Sequence, residues 1–220
     1  MDQLEATLSE SKAGQGRMII LAGEPGIGKT RTAQELASLA ETRGAKVRWG
    51  WNCEEEGAPP YWPWVQSIGS FVNEEDPDQL SSAMGPGAAH IAELIPSLRE
   101  KLPDFTDPPA LEPELARFRL FDSVTDFLKN ASQTQPLVIF LDDLHWGDRA
   151  SLLLLEFLAR GMGWVFDFTM TAKPQVDGTL VTRDQKITNF PIFMLPMKLM
   201  MPLIVKKFDK KMLNNLEAGS

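Results

Sequence analysis

Cysteine is almost missing from this 220-residue chain: Cys53 stands alone, which excludes an intramolecular disulfide and any multi-cysteine metal site. So few thiols suit a reducing cytoplasm, and Cys53 itself is expected to be a small packed hydrophobe rather than a nucleophile. Histidine is nearly as scarce; His90 has no metal-ligand companion nearby and reads as a partly buried structural imidazole. Basic charge is short too. Lys and Arg number 22 against 30 Asp and Glu, a net charge of −8, which argues against a general nucleic-acid-binding surface. The start, Met1-Asp2-Gln3-Leu4-Glu5, lacks the apolar core of a signal peptide, and no internal repeat is visible. The apolar, methionine-rich stretch 190–205 is broken by Pro191, Pro196 and Pro202. It falls short of the ~20 residues that span a bilayer. Lys206, Lys207, Lys210 and Lys211 follow it, so a membrane-surface or partner-docking segment stands beside an unpacked tail as its reading.

What is present begins with an ordinary soluble composition, 43% hydrophobic and 24% charged. The length suffices for one sizeable α/β core, alone or with a small appendage. Within it, Gly23-Glu24-Pro25-Gly26-Ile27-Gly28-Lys29-Thr30 fits the phosphate-loop pattern G-x-x-x-x-G-K-[ST]. The apolar run Met18 to Ala22 before it reads as a buried strand. Arg31 to Glu41 after it, rich in Ala, Leu and Glu, reads as a helix. A phosphate needs converging backbone N–H donors, which a helix N-terminus supplies together with a favourable dipole. Gly23, Gly26 and Gly28 let the chain curl close around it. Lys29 is expected at the β- and γ-phosphates, and the Thr30 hydroxyl on Mg²⁺.

A second motif completes such a site. Leu137-Val138-Ile139-Phe140-Leu141-Asp142-Asp143 is an apolar strand ending in two acids, expected to lie beside the first strand. Asp142 is placed to hold Mg²⁺ through its water shell. Asp143, one residue on, points elsewhere and is the candidate for polarising an attacking water.

Between these motifs, residues 2–12 read as a helix and Lys46 to Trp51 as a strand. Residues 53–60 form an acidic, then proline-rich, loop. Trp49, Trp51, Trp62 and Trp64 fall close together, and packing of a helix on the sheet is favoured over base stacking. Residues 73–113 are rich in Pro, Gly and acid, with helical pieces around 88–95 and 97–102, and read as a surface insertion. Glu112 to Leu128 is an amphipathic helix whose Arg117 and Arg119 leave the apolar face; a solvated side is favoured over a γ-phosphate sensor. His145 and Trp146 follow the second motif, near the site. Ser151 to Arg160 is a leucine-rich helix with Asp148 as its candidate cap.

Four ordered segments carry a resemblance: residues 23–31, Glu-Gly-Ala-Pro-Pro-Tyr-Trp-Pro-Trp at 56–64, Ala-Arg-Phe-Arg-Leu-Phe-Asp at 116–122, and Leu-Asp-Asp-Leu-His-Trp-Gly-Asp at 141–148. Together they closely resemble the ATPase domain of bacterial STAND-type regulators, including LuxR-type transcription activators and cyclase-linked regulators, often grouped with origin-recognition-type AAA modules. The resemblance covers residues 1–160 and implies an ATP/Mg²⁺-dependent switch that changes conformation and self-association. It implies nucleotide contacts from Gly23 through Arg31, metal contacts from Thr30 and Asp142, and a catalytic role for Asp143. The fold it implies is a P-loop α/β core with a mainly parallel sheet sandwiched by helices.

Beyond Arg160 the resemblance stops. Residues 164–170 read as a strand, with Thr169 or Thr171 near the sensor position. Seven of the ten Met lie from Met162 onward, and eight basic residues face five acidic ones there, against fourteen and twenty-five before. That shift suggests a divergent, foreign or frame-shifted tail over 161–220, following an ATPase core over 1–160. The family's glycine–arginine segment ahead of residue 2 and its helical lid are not recognised, so weak base discrimination and weak or absent hydrolysis are expected. The alternatives are a non-catalytic docking fragment or a DNA-replication initiator. The chain is expected to be cytoplasmic, without direct nucleic-acid binding or a membrane span.

Overall fold

The apolar strand β1 (Arg17–Gly23) leads through the glycine-rich loop into α1 (Lys29–Thr42). β2 (Lys46–Trp51) follows, then α2 (Trp62–Glu74), α3 (Pro77–Met84), α4 (Ala88–Leu94), α5 (Ser97–Lys101) and the long α6 (Pro113–Thr134). After these come β3 (Leu137–Asp142), a 3-10 turn Leu144–Trp146, α7 (Arg149–Gly161), β4 (Val165–Gln175) and β5 (Gly178–Asp184). The computed structural model describes residues 17–23, 26–54, 57–106, 108–161, 165–175 and 178–184. These belong to the unit Met1–Lys186. The expected helix 2–12 and the apolar stretch 190–205 lie outside the described residues.

Two of the three ladders are parallel. β1 pairs with β4 and β2 with β3, while β5 joins β4 antiparallel. The expectation that the second motif's strand lies beside β1 is corrected: β1 belongs to a three-stranded sheet in the order β1-β4-β5, and β3 to a two-stranded sheet with β2. β1 and β3 are brought together by a shared cover instead. Ile19 and Leu21 of β1 and Phe140 of β3 all pack against Leu36 of α1.

Strand alternation sorts the side chains onto two faces. On β2, Val47 and Trp49 meet Ala37 and Ala40 of α1. Gly50, on the opposite face, lies under the main chain of α2, where a Cβ would stand 2.1 Å from the Pro63 carbonyl oxygen. On β3, Val138 and Phe140 join Trp49 under α1, whereas Leu137, Ile139 and Leu141 turn to the larger core. Trp49 is stacked between Phe140 and Trp51, with ring centroids 4.4 and 5.9 Å away. Trp64 is buried, and its indole N–H donates to the Ser151 carbonyl at 3.1 Å. These two tryptophans pack helices on the sheet, while Trp51 remains half-exposed.

The larger core corrects a second expectation. Residues 73–113 are not a surface insertion: Leu80, Met84, Ile91 and Leu98 are fully buried with Trp64, Phe127 and Leu158. Each such side chain contributes about 1.5–3 kcal/mol by leaving water. Proline and glycine there mark helix ends rather than irregular chain. Pro77 opens α3 behind the Asp76 cap, which accepts the N–H groups of Asp78 and Gln79 at 3.1 Å. Lys101 ties this region to α2 by donating to the Asn73 and Glu75 carbonyls, at the helix end where a cation is favoured.

β2 has β3 on one side, and side chains occupy backbone groups along the other. The Gln66 amide accepts from the Trp51 N–H at 3.2 Å and donates to the Trp51 carbonyl at 3.0 Å. Arg48 Nη1 donates to the Val47 carbonyl at 2.8 Å, and the same guanidinium pairs with Glu74 at 2.8 Å.

Two glycines separate crowding from conformational freedom. Gly50→Ala forces the β2–α2 contact apart and is expected to cost about 2 kcal/mol or more. Gly69→Ala, on α2 with nothing within 4 Å of the added carbon, should gain about 0.5–1 kcal/mol. Urea titration of both variants against the wild type checks this.

Candidate functional site

Gly23 ends β1 and Lys29 opens α1, so the glycine-rich loop spans from strand to helix. Gly26 and Gly28 have φ of 77° and 98°, left-handed values that glycine adopts without strain. Gly28 is the cap of α1 and has no side chain, and the first turn holds no acidic residue. Neither the cap position nor the first turn of α1 therefore supplies an anionic side chain, as an anion-receiving helix end requires. Thr32 secures this turn, its N–H and hydroxyl both donating to the Gly28 carbonyl at 2.9 and 3.0 Å. Lys29 Nζ donates to the Gly23 carbonyl at 3.0 Å, bringing the ammonium back to the end of β1. Ile27 is half-buried and Arg31 exposed. Glu24 and Pro25 lie outside the described residues.

Asp142 follows from the alternation of β3. It shares the parity of Val138 and Phe140, so its carboxylate faces α1, and Thr30 Oγ1 donates to Asp142 Oδ2 at 3.1 Å. Residues 112 positions apart in sequence meet there. Asp143 turns away: its backbone is left-handed at φ 53°, and its N–H donates to Asp142 Oδ1 at 2.9 Å. Its own carboxylate is exposed, with His145 Nδ1 3.8 Å away. His145 leans on Trp146, ring centroids 4.9 Å apart. Among the described residues no group of three or more His, Cys, Asp or Glu could hold a metal ion. Thr30 and Asp142 instead offer a hydroxyl and a carboxylate, hard oxygen groups that suit Mg²⁺ brought in by a phosphate ligand.

Two residues escaped the sequence reading. Asn52 clamps the carbonyl of Asp142, with Nδ2 at 2.8 Å and its own N–H at 3.3 Å, just beyond the Trp51–Asp142 register. Tyr61 precedes α2 with a left-handed backbone, φ 65°, and its N–H donates to Asp148 Oδ1 at 3.4 Å. Asp148 is the α7 cap expected of it, accepting from the Ala150 and Ser151 N–H groups at 2.9 Å and from the Ser151 hydroxyl. Neither the Asn52 clamp nor the left-handed Tyr61 has a local sequence signature, since their partners lie 90 and 87 residues away.

Other expectations resolve simply. Cys53 is exposed rather than packed, because the chain leaves the sheet after Asn52. His90 is half-buried, and Arg117 and Arg119 are exposed on α6. Residues 164–170 fall largely in β4, where Thr169 is in register with Ile20 and Thr171 with Ala22.

Burial raises the pKa of the Tyr61 phenol; Arg117 opposes the shift and Asp148 reinforces it. Ionisation is thus harder in the folded state, and stability held below pH ~10 is lost as pH rises through the folded pKa. Tyr61 is the only tyrosine, so its ultraviolet difference titration reads this group alone. The midpoint should lie above that of the urea-unfolded chain, and Tyr61→Phe should flatten the alkaline loss of stability. Removing the Asn52 clamp leaves a carbonyl poorly satisfied, and Asn52→Ala is expected to cost about 1–2 kcal/mol, measured by urea unfolding at neutral pH.

Comparison with known proteins bears on the same segment. A family model described as AAA ATPase domain matches residues 1–163. No curated protein and no solved structure matches the chain. The match spans the glycine-rich loop, the Thr30–Asp142 contact and the Asp148 cap, and the chain belongs to the AAA ATPase domain family, a nucleotide-binding module built on a P-loop α/β fold.

Proposed function

We propose that this chain binds ATP with Mg²⁺ at the junction of the glycine-rich loop, α1 and the end of β3, as the nucleotide-operated module of a STAND-type regulator. The observation that carries the reading is the 3.1 Å contact between Thr30 and Asp142, beside a helix N-terminus without a side-chain cap. In this reading Gly23 through Arg31 wrap the phosphates, with Glu24 and Pro25 taken from the sequence pattern. Lys29 leaves the Gly23 carbonyl to neutralise phosphate charge, and Thr30 and Asp142 hold the metal. Bound Mg²⁺ supplies charge neutralisation and orientation of the terminal phosphoryl group. Asp143, exposed one residue beyond the metal position, orients a water as general base.

The regulatory part of the reading rests on the resemblance of residues 23–31, 56–64, 116–122 and 141–148 to STAND-type ATPase domains. There the nucleotide sets a conformation that an output domain or a second copy recognises. A core over 1–160, a segment of divergent composition over 161–220 whose β4 still pairs with β1, and a cytoplasmic setting belong to the same proposal. Among the described residues no helix is long and apolar enough to cross a membrane.

Calorimetry and thermal shift with Mg²⁺-ATP test it. Saturation at about a hundred times Kd should stabilise the fold by about 2.7 kcal/mol, and Lys29→Ala should weaken binding at least tenfold without unfolding the protein. Equal binding by wild type and Lys29→Ala, or none by either, rejects the assignment of the loop.

A further inference from the structure

Among the described residues two non-glycine positions have a left-handed backbone, Asp143 and Tyr61. They are far apart in sequence, yet they stand at the two ends of one short connection. Asp143 opens the turn that leaves β3, where its N–H is held by Asp142 and its carbonyl receives the Trp146 N–H at 2.9 Å. The turn closes through Gly147 to Asp148. Gly147 is confined: a Cβ there would stand 2.9 Å from the Leu144 carbonyl oxygen and 3.5 Å from Asn52 Oδ1. The Asp148 carboxylate then reaches across to the Tyr61 N–H. Tyr61 in turn starts α2, its carbonyl accepting the N–H groups of Trp64 and Val65 at 2.9 Å.

Left-handed geometry costs little for an aspartate but is unusual for a bulky aromatic residue. It persists where surrounding contacts over-determine it, and such residues cluster at switch regions. Around Tyr61 those contacts are the Asp148 carboxylate on its amide and an edge-on packing of its ring against Phe121, centroids 6.0 Å apart. We infer that Asp148 is a positioning residue that ties the turn carrying Asp143 to the start of α2, so that a change at one left-handed joint is felt at the other. Capping alone would need only the α7 amides. The additional reach to Tyr61 makes the carboxylate a strut between the turn carrying Asp143 and a helix of the main core.

Asp148→Ser keeps a capping oxygen but, on a shorter side chain, draws it back from the Tyr61 N–H. That N–H lies 3.4 Å from Oδ1, the same oxygen that accepts from the Ala150 and Ser151 amides at 2.9 Å. Amide hydrogen exchange at Trp64 and Val65 reads the joint. Asp143→Gly, which frees the turn, should speed exchange there by roughly tenfold in the Asp148 protein. It should add nothing in the Asp148→Ser background, with melting temperatures matched between the paired proteins. No effect of Asp143→Gly at Trp64 and Val65, or an effect that survives Asp148→Ser, overturns the inference. A second arm rests on the function proposed above. Mg²⁺-ADP should slow exchange over 26–32 in both the wild type and Asp148→Ser, but alter Trp64 and Val65 in the wild type alone. Loss of protection over 26–32 would reject the nucleotide reading, while the Asp143→Gly comparison still decides on the strut.

Discussion

β3 carries Leu137, Ile139 and Leu141 on one face and Val138, Phe140 and Asp142 on the other, and both the core and the candidate site depend on that alternation. The first set is fixed by the large apolar cluster built from α2 to α7. The second lies under α1 and ends in the carboxylate that meets Thr30. A shift of one residue in register would exchange the faces, sending Asp142 towards the core and Leu141 towards the loop. Burial of the odd residues therefore fixes the aim of an even one. The cost of misplacing a charged group among apolar side chains makes the alternative register strongly unfavourable.

The backbone around that carboxylate is held by groups from other parts of the chain. Asn52 grips the Asp142 carbonyl from the end of β2, while Thr30 meets the side chain from α1. Six residues on, Asp148 fixes the start of α7. The turn between them is short and anchored at both ends, and it presents Asp143 to solvent. Geometry at this point is thus a property of the folded unit rather than of the local segment. That explains why the loop glycines alone do not define the site.

Legibility in the sequence followed the range of the interaction. The glycine-rich loop was readable because its requirements are local: positive φ at Gly26 and Gly28, then a helix beginning at Lys29. The strands at Lys46–Trp51 and Leu137–Asp142 were readable from their own composition, and the Asp148 cap from its place before an apolar helix. Their pairing was not, because which strand lies beside β1 is decided by crossovers that leave no mark on either strand. The helical pieces around 88–95 and 97–102 were readable and stand as α4 and α5, whereas α3 was obscured by Pro77 at its start and Pro86 just past its end, which read as irregular chain. Asn52 and Tyr61 were missed for the complementary reason. Their roles are set by one acceptor each, nearly ninety residues away.

The Gln66 amide, set against both polar groups of Trp51, has a consequence beyond local packing. A strand with an open flank invites a further strand from another molecule, and such edges seed aggregation. Gln66 presents the same donor and acceptor that an incoming strand would, and Arg48 covers the Val47 carbonyl on the same flank. A newcomer would have to displace a tethered side chain at one end and a guanidinium already paired with Glu74 at the other. The flank of β2 is accordingly shielded from strand-by-strand growth.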